Sequence, residues 1–443
     1  MRTLLNKLTA ALPSGTLAVA GGTVVLGAAS YVHLGVAGHS LSEQDMANVS
    51  VLWTIVMSIG IGVFFPIEQE LTRIVSARVV LGQGTAPVLR RATLLTTAIL
   101  GGTLLVLGLG AGPIADLLFQ GDRALVAALG GAFAGMAVCY LTRGLLAGLG
   151  HFGAYGTQLA VDGGLRIVLA FGCALLGLHS ALAFSLVLAL APVAATLVTL
   201  PTLLRAVGPG ESIAWRELCN GLGLLICATL LSQAVVNAAV LSTKLLAPAD
   251  SVLIAALLSA LVLARVPLFV FGSLQASLLS GLTAAFTAGD RDAFWAMLRR
   301  IGLVVGGLGL LGGVPATVLG PWLIEVLFGA KPRLGCFDFF LMSAGTVAYM
   351  FAMVLGQALM VLKRHNLQLL SWAIGTAVLA GITLLPGDVA TRVIVAYALG
   401  SVATVLAMLA ALRLSFSGVA AAVTEGPGQT ADTSRLGVGA AGR

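Results

Sequence analysis

The chain has 443 residues, of which 59% are hydrophobic and only 9% charged, and its formal net charge is +7. A soluble domain carries about 25% charged residues, so this composition excludes a soluble globular protein. The apolar runs are continuous over about 20 residues, the length of a membrane-spanning helix. We therefore predict an all-α integral membrane protein, since only helices and closed barrels satisfy their backbone polar groups in lipid.

Twelve such runs follow one another along the chain. The predicted spans are 14–37, 46–67, 92–119, 124–146, 155–178, 181–204, 218–243, 250–272, 301–328, 337–361, 367–386 and 391–412. With both termini in the cytoplasm, the outer side holds only Arg123, Lys244, Lys331, Arg333 and Arg392, and the other basic residues outside the spans are cytoplasmic. This asymmetry follows the positive-inside rule, so the net charge reflects topology and needs no nucleic-acid partner.

A weak internal repeat divides the chain into halves. The letters LRR at 89–91 and LF at 118–119 recur, with the same separation, at 298–300 and 327–328. Each half holds six spans, an even number, so the halves are parallel. We expect a first six-helix lobe at 1–207, a cytoplasmic linker at 208–217, a second lobe at 218–416, a disordered cytoplasmic tail at 417–443 and a central cavity between the lobes.

The second span runs into a charged stretch without an obvious end. In FFPIEQELTRIVSAR, Pro66 is followed by Glu68, Glu70 and Arg73, at or beyond the cytoplasmic end of the span. Proline can bend a helix at this point, and Pro267 lies at a similar depth in the eighth span. Both prolines are candidate hinges, and the alternative is a helix that simply frays into the interface.

The same acidic residues suggest a cytoplasmic gate. Glu68, Glu70 and Arg73 would form part of it and would pair with arginines such as Arg143 when the inner side is closed. Glu70 and Arg73 are also three residues apart, the spacing of an ion pair within one helix, so that pair is the alternative.

Charged residues also lie inside the predicted spans. Asp162 and Arg166 are four residues apart on one face of the fifth span, and Arg265 lies deep in the eighth. A charge near the bilayer centre costs at least about 2.5–3.5 kcal/mol, so such residues face a bundle interior or a wet cavity. Asp162 and Arg166 could instead only lock helices together, and Arg265 could reach the interface. Arg143, near the cytoplasmic end of the fourth span, fits either topology or ligand binding.

Uncharged polar residues and cysteines add little. Gln233 and Asn237 are four residues apart in the seventh span, and we expect them to join helices by hydrogen bonds, as buried amides in membranes do. The five cysteines and the scattered histidines match no metal or redox motif, so we expect no metal and no cofactor. No enzyme signature is present.

Two stretches resemble a known family. They are FFPIEQELTRIVSARVVLGQG, a span that continues into an amphipathic segment, and TRGLLAGLGHFGAYGTQLAVDGGLRI, which joins the fourth and fifth spans. The second contains R-G-x-x-x-G, a phenylalanine, and then a span with an acid and an arginine. Together with the twelve-span plan, they resemble the polysaccharide (O-antigen) flippase branch of the multidrug/oligosaccharidyl-lipid/polysaccharide exporter (MOP, MATE-like) superfamily.

The resemblance implies a substrate and a mechanism. Members move a polyprenyl-pyrophosphate-linked oligosaccharide from the inner to the outer leaflet of the bacterial cytoplasmic membrane by alternating access, and they work beside polysaccharide polymerases or glycosyltransferases. Arginine binds phosphate oxygens well, so the substrate-contact candidates are Arg166, Arg265, Arg143 and Arg73, with Asp162 beside them.

Two other members of the superfamily are alternatives. Cation-coupled drug exporters often carry an essential carboxylate in the first or seventh span, and this chain has none in either. The lipid II flippase usually has fourteen spans.

Overall fold

We describe a computed structural model, in residues 15–246, 257, 260, 266–328 and 334–424. The secondary structure of this part is helical. The helices are α1 (Thr16–Ser40), α2 (Glu43–Ile55), α3 (Ile61–Val80), α4 (Ala86–Leu109), α5 (Ala111–Leu118), α6 (Arg123–Gly148), α7 (Phe152–Leu175), α8 (Ala181–Ala206), α9 (Trp215–Cys219), α10 (Leu222–Leu246), α11 (Val266–Thr287), α12 (Arg291–Phe328), α13 (Cys336–Val361), α14 (His365–Thr383) and α15 (Val389–Thr424).

The predicted spans are largely present as helices. Among the described residues, eleven helices are long and apolar enough to cross a membrane, and they correspond to every predicted span except the eighth. The predicted eighth span, 250–272, falls mostly outside the described residues, and its last part begins α11. The chain is therefore a multi-pass membrane protein, and the all-helical prediction is confirmed.

Several helix ends differ from the predicted spans. The predicted third span, 92–119, is two helices, because the chain leaves the helix at Gly110 and restarts with Pro113 in the first turn of α5. Proline suits a helix start, since its missing N–H would have no partner there. The final helix continues to Thr424, into the segment expected to be a disordered tail. The boundaries of lobes, linker and tail otherwise stay predictions.

The second span does not end at Pro66. A π-helical turn, Val56–Gly60, joins α2 to α3, and the continuous helix reaches Val80 with Pro66 inside it. The charged residues after Pro66 pack inside the protein instead of facing solvent, since Glu68, Glu70 and Arg73 are all buried. The fraying alternative is therefore wrong, and a hinge role for Pro66 stays a prediction.

The glycines of the R-G-x-x-x-G pattern seat α3 against α6. A Cβ added to Gly144 would lie 2.7 Å from the Glu68 carbonyl oxygen, and one added to Gly148 would lie 2.5 Å from the Cβ of Val75. The hydroxyls of Thr72 and Ser76 donate to the Gly144 and Gly148 carbonyls, each at 3.3 Å. Small residues four apart allow this close approach, as in other membrane helix pairs.

Two hydrophobic cores define the two lobes. The first gathers buried residues from Val19 to Leu222 together with Ala276, and the second gathers buried residues from Leu225 to Leu412. The lobes meet where α3 packs against α10 and α11, and where α1 and α6 pack against α11. A cavity remains along this contact.

The segment between the lobes is attached to the first lobe. The Arg78 guanidinium donates to the Glu211 carbonyl at 2.8 Å and to the Gly84 carbonyl at 3.3 Å. The backbone N–H groups of Thr85 and Ala86 donate to the Gly208 carbonyl at 3.0 and 2.9 Å. These hydrogen bonds hold the predicted linker, residues 208–217 and named here the strap, along the α3–α4 turn.

Candidate functional site

Three buried charges form one network between α6 and α7. Asp162 accepts hydrogen bonds from Arg166 (Nε to Oδ1, 2.9 Å) and from Arg143 (Nη2 to Oδ2, 3.0 Å). Asp162 is 1% exposed, and both arginines are at most 6% exposed. Because removing charges from water is costly, such ions persist when they are paired. The network joins two arginines to one carboxylate, so its formal net charge is +1.

The sequence indicated only part of this network. The spacing of Asp162 and Arg166 predicts their contact within α7, and the structure contains it. Arg143 was assigned to topology or to ligand binding, but its Nη2 pairs with Asp162 from the neighbouring helix. This contact bridges the α6–α7 turn, and sequence separation alone does not predict such a distance.

Glu68 lies in the same region on α3. Its Oε1 accepts a 2.7 Å hydrogen bond from the Tyr155 hydroxyl of α7, whereas its Oε2 is buried and has no partner among the described groups. Tyr155 was not a candidate in the sequence, because an aromatic residue near a helix start carries no specific signal.

The expected gate pairing is absent from this conformation. Glu70 accepts from Arg73 within α3, with Nε to Oε2 at 3.0 Å, so the intrahelical alternative is the one observed. Arg143 pairs with Asp162 instead of Glu70, because it points across to α7. A gate role for Glu68, Glu70 and Arg73 stays a prediction.

A cavity of about 310 Å³ lies between the lobes. Most of its lining residues are polar or aromatic. The polar and aromatic lining residues are Thr23, Phe65, Glu68, Gln69, Tyr140, Arg143, Tyr155, Thr229, Ser232, Gln233, Gln275, Gln357, Gln368 and Trp372. Arg143 thus touches both the cavity and the charge network.

The two walls of this cavity differ in charge. The acidic and basic side chains of its described lining, Glu68 and Arg143, both belong to the first lobe. The wall from the second lobe carries no ionisable residue among the described lining residues, and glutamines dominate its polar surface. Gln233 was predicted from the sequence as a helix contact, but Gln275, Gln357 and Gln368 were missed, because the search inside the spans was for charges.

The remaining candidates are dispersed. Arg73 is buried in α3 but does not line the cavity. Pro267 packs at the start of α11, where its ring fills the space in which Gly312 of α12 lacks a side chain. Gln233 lines the cavity, while the Asn237 amide donates back to the Gln233 carbonyl at 2.9 Å, within one helix.

One predicted cavity residue lies outside the described part of the chain. Arg265 falls between residues 260 and 266, so its predicted role stays a prediction.

Comparison of the sequence with known proteins finds relatives that match most of the chain. No family model matches the chain. An uncharacterized protein of Mycobacterium tuberculosis (strain H37Rv) is 26% identical over 424 residues, covering 91% of this chain and 94% of that protein. An uncharacterized protein of Mycobacterium bovis is 27% identical over 432 residues, covering 91% and 93%.

Solved structures of transporters superpose on most of the chain. A MATE transporter from Vibrio cholerae matches with a TM-score of 0.78 and 14% identity, covering 91% of this chain and 96% of that chain. A MOP superfamily transporter from Pyrococcus furiosus matches with a TM-score of 0.76 and 14% identity, covering 92% and 94%. The chain therefore has the two-lobed, all-helical fold of MATE transporters of the MOP superfamily.

Proposed function

We propose that this protein is a flippase that moves a polyprenyl-pyrophosphate-linked oligosaccharide from the inner to the outer leaflet for cell-surface polysaccharide assembly. The observation that carries the proposal is the cavity between the lobes, whose wall combines one arginine with several glutamines and aromatic rings. A drug-sized apolar substrate has no use for so many amides, whereas a hydroxyl-rich headgroup does.

Arg143 is the group best placed to meet an anionic headgroup. Its guanidinium lines the cavity, and its Nη2 is oriented by Asp162, which Arg166 holds from the other side. An arginine whose direction is fixed beforehand loses less freedom when it binds phosphate oxygens. Arg166 and Asp162 then act as positioning residues, while Arg73 and Arg265 remain further candidates along the path.

The lipid tail stays in the bilayer while the headgroup crosses between the lobes. Alternating access requires the α3–α10 and α3–α11 contacts to open on one side and close on the other. Pro66, Pro267 and the π-helical turn at Val56–Gly60 are the candidate bending points, since Pro66 and the π-helical turn interrupt regular helix hydrogen bonding and Pro267 lies at the start of α11. In this proposal the protein lies in a bacterial cytoplasmic membrane with both termini in the cytoplasm, as the charge pattern predicts, and a polysaccharide polymerase or glycosyltransferases would be its partners.

A cation-coupled drug exporter is the second candidate. Glu68 favours it, because this carboxylate lines the cavity and its Oε2 has no partner within the described part of the chain. The Pyrococcus furiosus transporter is described as having a binding pocket of reversed polarity that suggests a different function, so pocket charge can separate functions on this fold. Here Arg143 balances Glu68 in the same cavity, which favours the headgroup proposal over the exporter.

The test is translocation in proteoliposomes. The purified chain would be reconstituted with a labelled polyprenyl-pyrophosphate oligosaccharide, and its appearance in the opposite leaflet would be followed beside efflux of a cationic dye. We expect glycolipid movement that Arg143→Ala reduces at least about tenfold, the effect of losing one charge-assisted contact.

Arg123→Ala is the matched control, because Arg123 is an exposed arginine at the other end of the same helix. Dye efflux that Glu68→Gln abolishes, without glycolipid movement, would establish the exporter instead.

A further inference from the structure

The second-lobe wall of the cavity is made of neutral groups. Gln233, Gln275, Gln357, Gln368 and Trp372, from α10, α11, α13 and α14, are named here the amide wall. The nearest charged side chains of the cavity stand on the opposite lobe. An anionic group therefore finds no cation on this wall, and a cation finds no carboxylate there.

Two members of the amide wall have unsatisfied acceptors. Gln357 is 2% exposed and Gln368 is 8% exposed, and the Oε1 atom of each has no hydrogen-bond partner among the described groups. A buried acceptor without a donor lowers the free energy of unfolding by about 1–3 kcal/mol, so such atoms are rare in folded proteins and often bind a ligand or water. A ligand with hydroxyl donors would satisfy both oxygens.

Aromatic surface completes the wall. Trp372 lines the cavity one helical turn from Gln368, and its ring packs against Tyr349 with centroids 5.4 Å apart. The backing ring restrains the indole, so the wall offers a firm apolar surface beside its amides. A sugar ring has the matching chemistry, since its C–H groups pack on an aromatic surface while its hydroxyls reach amide groups.

We propose that the amide wall is a binding subsite for a neutral sugar unit of the headgroup. The inference rests on the proposed function and divides the headgroup between the lobes: the sugar lies against Gln357, Gln368 and Trp372, and the phosphates face Arg143. A volume of about 310 Å³ stands at the lower end of the roughly 300–1,000 Å³ typical of ligand sites. The cavity in this conformation thus takes a short saccharide segment rather than a long chain.

The test is direct binding of free sugars to the full-length protein in nanodiscs. Saturation-transfer NMR would be recorded with methyl glycosides of neutral hexoses, deoxyhexoses and N-acetylhexosamines, and with glucuronic acid as the anionic counterpart. We expect at least one neutral glycoside to bind more tightly than glucuronic acid. Gln357→Leu and Gln368→Leu should each weaken that binding by roughly three- to tenfold, the effect of one hydrogen bond.

Two further variants test whether the effects are specific to the amide wall. Asn366→Ala changes an exposed amide at the start of α14 and should leave sugar binding unchanged. Gln368→Glu keeps the side-chain shape but adds a negative charge, so it should disfavour glucuronic acid more than the neutral sugar. If neither leucine variant changes the binding, or if no neutral glycoside binds, the subsite is wrong.

These outcomes are separable from those of the translocation assay. Sugar binding that depends on Gln357 and Gln368, without movement of the lipid-linked oligosaccharide, would overturn the flippase and keep the subsite. Translocation unaffected by the two leucine variants would overturn the subsite and keep the flippase. Glu68-dependent binding of a cationic dye, without binding of any neutral glycoside and without glycolipid movement, would overturn both.

Discussion

The hydroxyl oxygens of Ser76 in α3 and Ser280 in α11 lie 3.0 Å apart and join the two lobes. The charge pattern assigns the ends of both helices to the cytoplasmic side, and the Ser76 hydroxyl also donates to the Gly148 carbonyl of α6 at 3.3 Å. The lobes are therefore in contact at this end, which the charge pattern predicts to be the side from which the proposed substrate would enter.

We expect a disulfide between S76C and S280C to stop transport. Side-chain atoms that already meet at this distance suit the short span of a disulfide, which would hold the lobes closed at this end. The experiment needs a background without the native cysteines, which are Cys139, Cys173, Cys219, Cys227 and Cys336. Oxidation should abolish translocation by the double variant, and a reductant should restore it.

The two single-cysteine variants are the controls and should stay active under oxidation. Transport at the unmodified rate by fully cross-linked protein would show that the lobes need not separate at Ser76 and Ser280.

Asp162→Asn should strongly destabilise the protein. The change leaves Arg143 and Arg166 buried without their shared carboxylate, and breaking a buried ion pair in this way costs about 3–5 kcal/mol. Unfolding by SDS titration would measure the loss. Asp116→Asn, at an exposed position of α5, should leave the free energy of unfolding within about 0.5 kcal/mol of the parent value.

A double variant distinguishes the loss of charge balance from a general loss of packing at this site. Asp162→Asn combined with Arg166→Gln removes one charge of each sign, so it should be more stable than Asp162→Asn alone. A double variant that is less stable than the single one would contradict an electrostatic role for Asp162.

Much of this architecture was predictable because lipid restricts what a chain can do. A bilayer requires long apolar helices, and the distribution of arginine and lysine then orients them. The contact between Asp162 and Arg166 was predictable for a local reason, since helical geometry fixes which residues share a face.

Contacts between different helices could not be predicted from the sequence. Arg143 meets Asp162, and Glu68 meets Tyr155, across distances along the chain that only tertiary packing closes. The burial of the charged stretch after Pro66 was also not evident, because a run of charged residues normally indicates solvent. Here the neighbouring α6, with Gly144 facing the helix, encloses the polar stretch.

The charges of Glu70 and Arg73 should be exchangeable. They form an ion pair within one helix turn of α3, so Glu70→Arg combined with Arg73→Glu keeps the pair, while either change alone buries two like charges. We expect each single variant to lose most translocation and the exchanged variant to recover at least about half, since a local pair tolerates reversal better than a buried bridge between helices.

The exchange of Glu70 with Arg143 provides the comparison. It should not restore activity, because Arg143 is paired with Asp162 and would leave that carboxylate facing a glutamate. Recovery in Glu70→Arg/Arg143→Glu, with none in the exchange within α3, would instead support the gate pairing between Glu70 and Arg143.

Arg78→Ala should release the linker from the first lobe. The guanidinium donates to the carbonyls of Glu211 and Gly84, and these bonds attach the strap to the α3–α4 turn. Without them the linker loses charge-assisted hydrogen bonds and opens more often, so trypsin should cut after Arg216 several-fold faster. Arg90→Ala, an exposed change in the same region, should leave that rate unchanged. Equal cleavage rates in Arg78→Ala and the parent protein would mean that the Gly208 contacts with Thr85 and Ala86 hold the strap by themselves.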